Sequence, residues 1–335
     1  MKVLLYTEGE KLFSKSGLGK AIRHQKKALR AVGVKYTSDI KSKDYDILHL
    51  NYYGPKSYKL AKKAKKAGKK VVYHAHSTEE DFKKSFILSE HISPIFKKWL
   101  IKCYSLGDVI ITPTPYSKRV LTRYGIKRKI YSISNGIELD YFKNEAGFKK
   151  EFRSKYGLKS NDKVIIGIGL YIERKGIIDF VKLAKKMPEY KFIWFGHSSL
   201  AIAPQKVKKA VKTKLPNLIF AGYVSRENIK KAMWGCDIFL FPTHEETEGI
   251  PIIEACACKK TSVIRNIPVF KDWLEEGVNV YKASSLSEFE EKIRKIVNKE
   301  LPQLGNNAYK VAQERNLNKV GSELKQVYEE VLEKK

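Results

Sequence analysis

Short aliphatic and β-branched runs alternate with stretches of helical period along most of the chain. Such runs at 3–6, 47–50, 71–75, 109–112 and 130–134 predict five strands, with helical segments between most of them. A polar stretch at 143–163 interrupts the pattern. Strand-like runs then resume at 164–170, 192–195, 218–221, 238–241 and 263–264. The tail from about residue 306 reads as helical, with Val320, Leu324, Val327 and Val331 on one face. Two successive runs of this kind predict an α/β protein with two Rossmann-like domains, at 1–145 and 146–312, and a C-terminal helix at 313–335. Ligands of such sheets bind beyond the carboxyl ends of the strands.

Composition agrees with two folded cores: 335 residues, 43% hydrophobic and 11% aromatic, which excludes a disordered basic tail. No apolar run approaches the length of a transmembrane helix, and the N-terminus reads as a first strand rather than a signal peptide. Cys103, Cys236, Cys256 and Cys258 are too few and too poorly spaced for a disulfide framework or a zinc knuckle, and read as small buried residues of an intracellular protein. What folding does not explain is the charge. Lys and Arg number 66 against 36 Asp and Glu, a net +30, and 30 of the basic but only 12 of the acidic residues precede residue 141. Such an excess points to a polyanionic partner, either nucleic acid or an anionic membrane surface.

The charge has a local pattern. Pro55 opens and Gly68 closes a predicted helix on which Lys56, Lys59, Lys62, Lys63 and Lys66 fall within an arc of about 120°, opposite Tyr58, Ala61, Ala64 and Ala67. A solvated helix face is the bland alternative, but no acid is interleaved among these lysines. Farther on, Ser93-Pro94 suits an N-cap and first position of a helix carrying Ile95, Phe96, Trp99, Leu100 and Cys103 on one face. Phe86 and Ile87 precede it, and Lys83, Lys84, Lys97, Lys98 and Lys102 flank it. A core helix explains the apolar face alone. An interfacial segment, with aliphatics in the acyl boundary and lysines at the headgroups, explains both.

Two further segments carry candidate chemistry. Ser16-Gly17-Leu18-Gly19 opens a helix after the first strand; it fits neither a dinucleotide fingerprint nor a P-loop, so a tight turn and a phosphate approach remain open. The stretch from Pro242 to Cys258 is sharper. Glu246 sits in a loop before Gly249-Ile250-Pro251, and Glu254 falls in the first turn of the helix that follows, suited to a pair of vicinal hydroxyls or to the helix N-terminus.

Glu246 and Glu254, separated by seven residues, resemble the E-x7-E signature of retaining glycosyltransferases of the GT-B fold, family 4. The glycine loop at 17–19, a histidine closing the third predicted strand (His76, with His74 as a competing match), Ser134-Asn135-Gly136-Ile137 and Arg174-Lys175-Gly176 agree in order. Several phrases, among them HAHSTEEDF, TPTPYSK and EETEGI, are similar to those of bacterial enzymes that glycosylate diacylglycerol glycolipids.

The resemblance implies two Rossmann-like domains facing across a cleft, with the last helix returning to the first. It also implies a set of roles: Glu254 on the donor ribose, Glu246 on the transferred hexose, and Gly249 and Ile250 near the donor. Gly17 and Gly19 would approach the diphosphate, Lys175 and Arg174 would neutralise it, the backbone at Tyr223 and Val224 would meet the uracil, and His76 would reach the sugar. Many family members carry Arg where this chain has Leu170, which leaves Lys175 and Arg174 to bind phosphate.

The implied reaction moves a hexose from UDP-glucose, or second UDP-galactose, to α-glucosyl-diacylglycerol. A first-step diacylglycerol glucosyltransferase is the alternative within the class, and a nucleic-acid-binding protein the alternative outside it. No bound cofactor or metal is expected, Mg2+ acting at most as a stimulant. The expected location is peripheral, on the cytoplasmic face of an anionic membrane.

Overall fold

The computed structural model describes residues 1–14 and 16–333. It divides into two compact units. One comprises Met1–Phe82, His91–Glu138 and the chain from Glu314 onward; the other comprises Lys83–Glu90 and Leu139–Gln313.

The first unit is built on strands β1 (Lys2–Tyr6), β2 (Lys35–Thr37), β3 (Ile47–Leu50), β4 (Lys70–His74), β5 (Val109–Thr112) and β6 (Lys129–Ser132). All pairs are parallel, in the order β2-β1-β3-β4-β5-β6. Central strands such as Ile-Leu-His-Leu and Val-Ile-Ile-Thr are buried on both faces, the mark of a parallel sheet covered by helices. One core joins Val3, Leu5, Val72 and Ile111 to Ala28 and Leu29 of the helix Gly17–Ala31. Val320, Leu324, Val327 and Tyr328 of the last helix, Leu317–Glu333, complete it. Gly321 permits that packing, since a Cβ there would sit 2.3 Å from the Ala28 carbonyl oxygen.

The second unit carries β7 (Val164–Ile168), β8 (Lys191–Phe195), β9 (Leu218–Gly222), β10 (Ile238–Phe241), β11 (Ser262–Arg265) and β12 (Tyr281–Ala283). Their order, β12-β11-β10-β7-β8-β9, is again wholly parallel. It is the doubly wound arrangement of dinucleotide-binding sheets, whose order reverses between β7 and β10. Trp194, Phe180 and Phe192 fill its core. In the first unit the corresponding reversal lies between β1 and β3.

The structure departs from the sequence reading in several places. Edge strands β2 and β12 are three residues each and too short to show a period. The polar stretch at 143–163 contains a helix, Phe148–Lys155. The helical tail is two helices, Gly305–Gln313 and Leu317–Glu333, and the last two residues of the expected C-terminal helix lie outside the described residues. Leu139–Glu145 packs with the second unit, where the Trp234 indole donates to the Phe142 carbonyl (2.9 Å).

Ser93 and Pro94 do not open a helix, because it runs from Ser89 to Tyr104 with Pro94 inside. The Ser93 hydroxyl is turned instead to Glu79 Oε1 (3.1 Å), and the proline removes one early hydrogen bond, which this helix tolerates. Among the described residues no helix is long and apolar enough to cross a membrane. All four cysteines are buried thiols.

Candidate functional site

The carboxyl ends of β7 and β10 place the loops 169–176 and 242–249 at the switch point of the second sheet. Lys175 ends a 3-10 turn, Glu173–Lys175, and its Nζ donates to Glu246 Oε1 at 2.5 Å. The Thr243 hydroxyl donates to the same oxygen at 2.9 Å, and Arg174 Nη1 lies 3.8 Å from Oε2. Glu246 is 6% exposed, so these donors hold a carboxylate that burial would otherwise expel. Arg174 Nη1 also donates to the Glu245 carbonyl (2.8 Å), and the Arg174 carbonyl accepts from the His244 amide (2.7 Å). The two loops are thereby clamped together. Gly176 makes that approach feasible: its φ is +76° and a Cβ would stand 2.2 Å from the Pro242 oxygen.

A strut behind the loop was not legible in the sequence. Asp179 Oδ2 accepts from Arg265 Nη2 (2.5 Å) and meets His244 Nε2 (2.9 Å), while Arg265 Nε donates to the Pro242 carbonyl (3.0 Å). Burial alone would raise the Asp179 carboxyl, but its hydrogen bond to His244 and the charge of Arg265 outweigh burial and hold it below its ordinary range.

Gly249 caps the helix Ile250–Ala257 with φ 93°. Glu254 is the fifth residue of that helix, in its second turn rather than its first, and is fully buried. A favourable charge at the helix N-terminus therefore does not account for it. Beside this lies a terrace of bare backbone. The Gly169 amide donates to Phe195 and the Gly196 amide to Gly222, so glycines follow or end three adjacent strands, and a Cβ on Gly196 would stand 2.1 Å from the Gly169 oxygen. Sequence reasoning gave no role to Gly196, which ends the similar phrase FIWFG, or to Gly222; Gly-His directly after β8 was the available signal. Leu170 is 39% exposed at this end, and Tyr223, 53% exposed, and Val224 follow β9 directly.

In the first unit, Ser16 caps the helix Gly17–Ala31 by accepting from the Gly19 amide (3.3 Å). The two glycines differ. A Cβ on Gly19 would meet the Phe13 oxygen at 2.2 Å, whereas one on Gly17 would meet nothing within 4 Å among the described residues. Gly19 is thus required by the turn itself, and Gly17 is open to a ligand. His76 lies two residues beyond β4, the fourth strand rather than the third, and its Nε2 meets Asn51 Oδ1 at 3.0 Å. Its ring stacks on His74, with centroids 4.0 Å apart. Burial holds the His76 imidazole down to about 3. Among the described residues no group of three His, Cys, Asp or Glu is placed to hold a metal ion.

The lysine-bearing helix, Pro55–Lys66, exposes Lys56, Lys59, Lys62, Lys63 and Lys66, while Ser57, Ala61 and Ala64 are buried. Lys65 is drawn off to Asp108 (2.7 Å). Ala67, expected on the packed face, is exposed at the helix end. Tyr58 meets Trp99 of the helix Ser89–Tyr104 at a centroid distance of 5.4 Å, and Lys62 and Lys102 lie over the Tyr58 ring, which joins the two helices into one basic, aromatic surface.

Two expectations for that surface change. Ile95, expected on the packed face, is 72% exposed, with Ile92 at 40%, because Phe96 stacks on Phe82 and fixes the helix rotation. Lys97 is turned inward over Tyr124 and lies 3.4 Å from Glu79 Oε2. Lys98 and Lys102 remain exposed, whereas Phe96 and Trp99 are half-buried. In the second unit, Lys84 and Ile87 are exposed and Lys83 and Phe86 half-buried. The Ile87 amide donates to the Ile202 carbonyl (3.1 Å), which brings Ile202, 61% exposed and unnoticed in the sequence, beside Ile87 at 47%.

Comparison with known proteins fits this geometry. Residues 148–315 match the Glycosyl transferases group 1 family and residues 19–141 match Glycosyltransferase Family 4. A processive diacylglycerol alpha-glucosyltransferase of Acholeplasma laidlawii is 42% identical over 333 residues, 99% of either chain. An alpha-galactosylglucosyldiacylglycerol synthase of Streptococcus pneumoniae is 26% identical over 69% of this chain and 63% of its own length. Among solved structures, Anabaena Alr3699/HepE in complex with UDP-glucose superposes with a TM-score of 0.74 at 16% identity, covering 98% of this chain and all of that one. A sucrose-phosphate synthase of Thermosynechococcus elongatus gives 0.79 at 14% identity, covering 99% of either chain. Two parallel sheets of six strands, a buried lysine–glutamate pair at the switch point of the second, and these likenesses lead to one conclusion: the chain belongs to the group 1, family 4 glycosyltransferases, and is a hexosyltransferase of the GT-B fold.

Proposed function

We propose that this enzyme transfers glucose from UDP-glucose, with retention, to a diacylglycerol-based acceptor at an anionic membrane. The favoured acceptor is α-glucosyl-diacylglycerol. The name of the relative that is 42% identical adds that the product of one transfer can serve as the acceptor of the next, so diacylglycerol itself enters as the first acceptor. The observation that carries the reading is the Lys175–Glu246 pair at the switch point, in a chain alike along 99% of its length to that diacylglycerol glucosyltransferase. UDP-galactose is the second donor, supported by the galactosylglucosyl lipid named for the pneumococcal relative.

In this reading the second unit binds the donor. Glu254 takes the ribose hydroxyls, and the backbone at Tyr223 and Val224 meets the uracil. Amides at Gly249 and Ile250 approach the donor from the start of a helix, where unpaired N–H groups favour an anion. Lys175 and Arg174 hold the diphosphate, and Glu246 accepts from hexose hydroxyls. The C1–oxygen bond to the diphosphate breaks as the acceptor oxygen closes on C1 from the same face. The acceptor's proton passes to the departing phosphate oxygen, so no carboxylate nucleophile is required. Fixed positive charge at the leaving group supplies the main stabilisation. Mg2+ acts at most as a stimulant in solution.

The first unit brings the acceptor. Gly17 approaches the diphosphate from the turn that Gly19 permits, and His76 reaches the transferred sugar. Its exposed lysines, with Ile92 and Ile95, rest on anionic headgroups at the cytoplasmic face, joined by Lys83, Lys84, Phe86 and Ile87. Each lysine near such a surface contributes about 1 kcal/mol.

Radiolabelled UDP-glucose or UDP-galactose, incubated with diacylglycerol or glucosyl-diacylglycerol in phosphatidylglycerol vesicles, tests the reading by chromatography of the products. Di- and higher glucosyl lipids are expected. Transfer only to soluble acceptors, or activity indifferent to anionic lipid, overturns it. Tight nucleic-acid binding at physiological salt without transfer would restore the rival explanation of the charge.

A further inference from the structure

Three histidines of the first unit lie together. His49 on β3 is fully buried, His74 at the end of β4 is 4% exposed, and His76 follows. Burial holds all three imidazoles below the ordinary 6.5, His49 and His76 down to about 3. At neutral pH each ring therefore has one N–H and one lone pair, and the open variable is which nitrogen carries the proton.

Their partners form a chain. The Tyr328 hydroxyl lies 2.8 Å from His49 Nδ1, and His49 Nε2 lies 2.7 Å from Gln25 Nε2. Asn51 Nδ2 donates to Gln25 Oε1 at 2.8 Å, and Asn51 Oδ1 lies 3.0 Å from His76 Nε2. Gln25 and Asn51 are 4% and 2% exposed.

Each amide has one donor end and one acceptor end, so the chain passes its direction along. When Gln25 donates to His49 Nε2, the His49 proton sits on Nδ1, and Asn51 presents its oxygen to a His76 protonated on Nε2. With both amides turned, the protons sit on His49 Nε2 and His76 Nδ1. Any mixed arrangement sets two donors or two lone pairs face to face, at about 1–3 kcal/mol for each buried group left unsatisfied. Neither direction is perfect. The first leaves the Tyr328 hydroxyl hydrogen without an acceptor among the described residues. The second moves the His74 proton to Nε2, because His74 Nδ1 must accept from His49 Nε2 (3.2 Å), and His74 Nε2 has no partner among the described residues.

We propose that Tyr328, His49, Gln25 and Asn51 are positioning residues that fix which nitrogen of His76 is protonated, and so tie that ring to the C-terminal helix. The proposal rests on the reading that His76 meets the transferred sugar. With Nε2 engaged by Asn51, the remaining His76 nitrogen offers either a lone pair or an N–H, and the chain selects which.

Long-range proton–nitrogen NMR of the full-length chain labelled with nitrogen-15 histidine tests this at neutral pH. His49 and His76 are expected to be protonated on opposite ring nitrogens. Gln25→Met cuts the chain, so His76 should show averaged tautomer shifts, and kcat should fall about tenfold while the donor KM is nearly unchanged. Tyr328→Phe removes one hydroxyl at the far end and should move both rings together. Protonation of both rings on the same nitrogen, or a His76 signal indifferent to Gln25→Met, overturns the proposal. Should Gln25→Met not fold, Tyr328→Phe decides: a change at His49 alone, or at neither ring, overturns it. His76→Ala with full kcat would instead remove the sugar-contact reading and leave the tautomer linkage standing.

Discussion

Lys175 Nζ and Glu246 Oε1 lie 2.5 Å apart with side chains 15% and 7% exposed, although 71 residues separate them in the chain. A pair this sheltered has lost most of its hydration and is held by mutual attraction and by the Thr243 hydroxyl. Removing one partner strands the other. Lys175→Met is expected to destabilise the second unit by about 3–5 kcal/mol, less whatever Arg174 recovers, and Lys175→Met/Glu246→Leu to regain most of that loss. Urea unfolding of the three proteins checks it; a double variant no more stable than the single contradicts the burial argument.

Glu246 and Glu254 should separate in function. Glu246→Gln is expected to lower transfer by about 10²–10³ while UDP affinity is nearly unchanged. Glu254→Ala should show the reverse order, with UDP affinity lost first. Calorimetric titration with UDP beside the transfer assay distinguishes them, and equal loss of UDP affinity in both variants would refute separate roles.

The two glycines at the start of the helix Gly17–Ala31 give a paired test. Gly19→Ala forces a Cβ against the Phe13 carbonyl oxygen and should destabilise the first unit by about 1–3 kcal/mol. Gly17→Ala meets nothing within 4 Å among the described residues and should melt as the parent does, so any loss of donor affinity there reports on the ligand. A melting temperature lowered equally by both substitutions would contradict the distinction.

Lys59, Lys62, Lys63 and Lys66 are exposed, so replacing all four by Ala should leave the fold intact. At about 1 kcal/mol each, partition onto phosphatidylglycerol vesicles should fall by about 10²–10³. Ile95→Asp should weaken it further. Sedimentation with vesicles across a salt series is the measurement, and unchanged pelleting would remove this helix from the lipid surface.

His49, His74 and His76 titrate below their ordinary values in the folded chain, so the unfolded chain binds more protons as pH falls below about 6.5. The stability they contribute is full above that pH and is lost as pH falls toward about 3, at up to ~1.4 kcal/mol per pH unit for each ring. Thermal unfolding followed from pH 7.5 to 4.5 should show the first unit's transition dropping steeply. His49→Gln should flatten the slope, and an unchanged slope would show that burial of these rings is not the cause.

Much of the fold was legible because a parallel strand buried on both faces writes itself as an unbroken apolar run. Val-Ile-Ile-Gly-Ile at 164–168 and Ile-Phe-Leu-Phe at 238–241 show this plainly. Three-residue edge strands leave no such trace. Helix rotation was the weaker inference. Ile95 has the right spacing for the packed face, yet the stacking of Phe96 on Phe82 turns it outward, and no local pattern encodes that preference.

Sequence alone determined the α/β class and the basic lysine-faced helix, and it singled out the residues proposed for the chemistry: two glutamates with seven residues between them and Lys175 in the second half, and a histidine after a strand in the first. These follow from local spacing and side-chain chemistry. Tertiary structure decided how those groups are held. The strut of Asp179, Arg265 and His244 joins residues up to 86 apart. The chain from His76 to the C-terminal helix closes through Tyr328 and His49, 279 residues apart. A hydrogen bond depends on angstroms in space, and separation along the chain carries no record of it until the sheet and helices have packed.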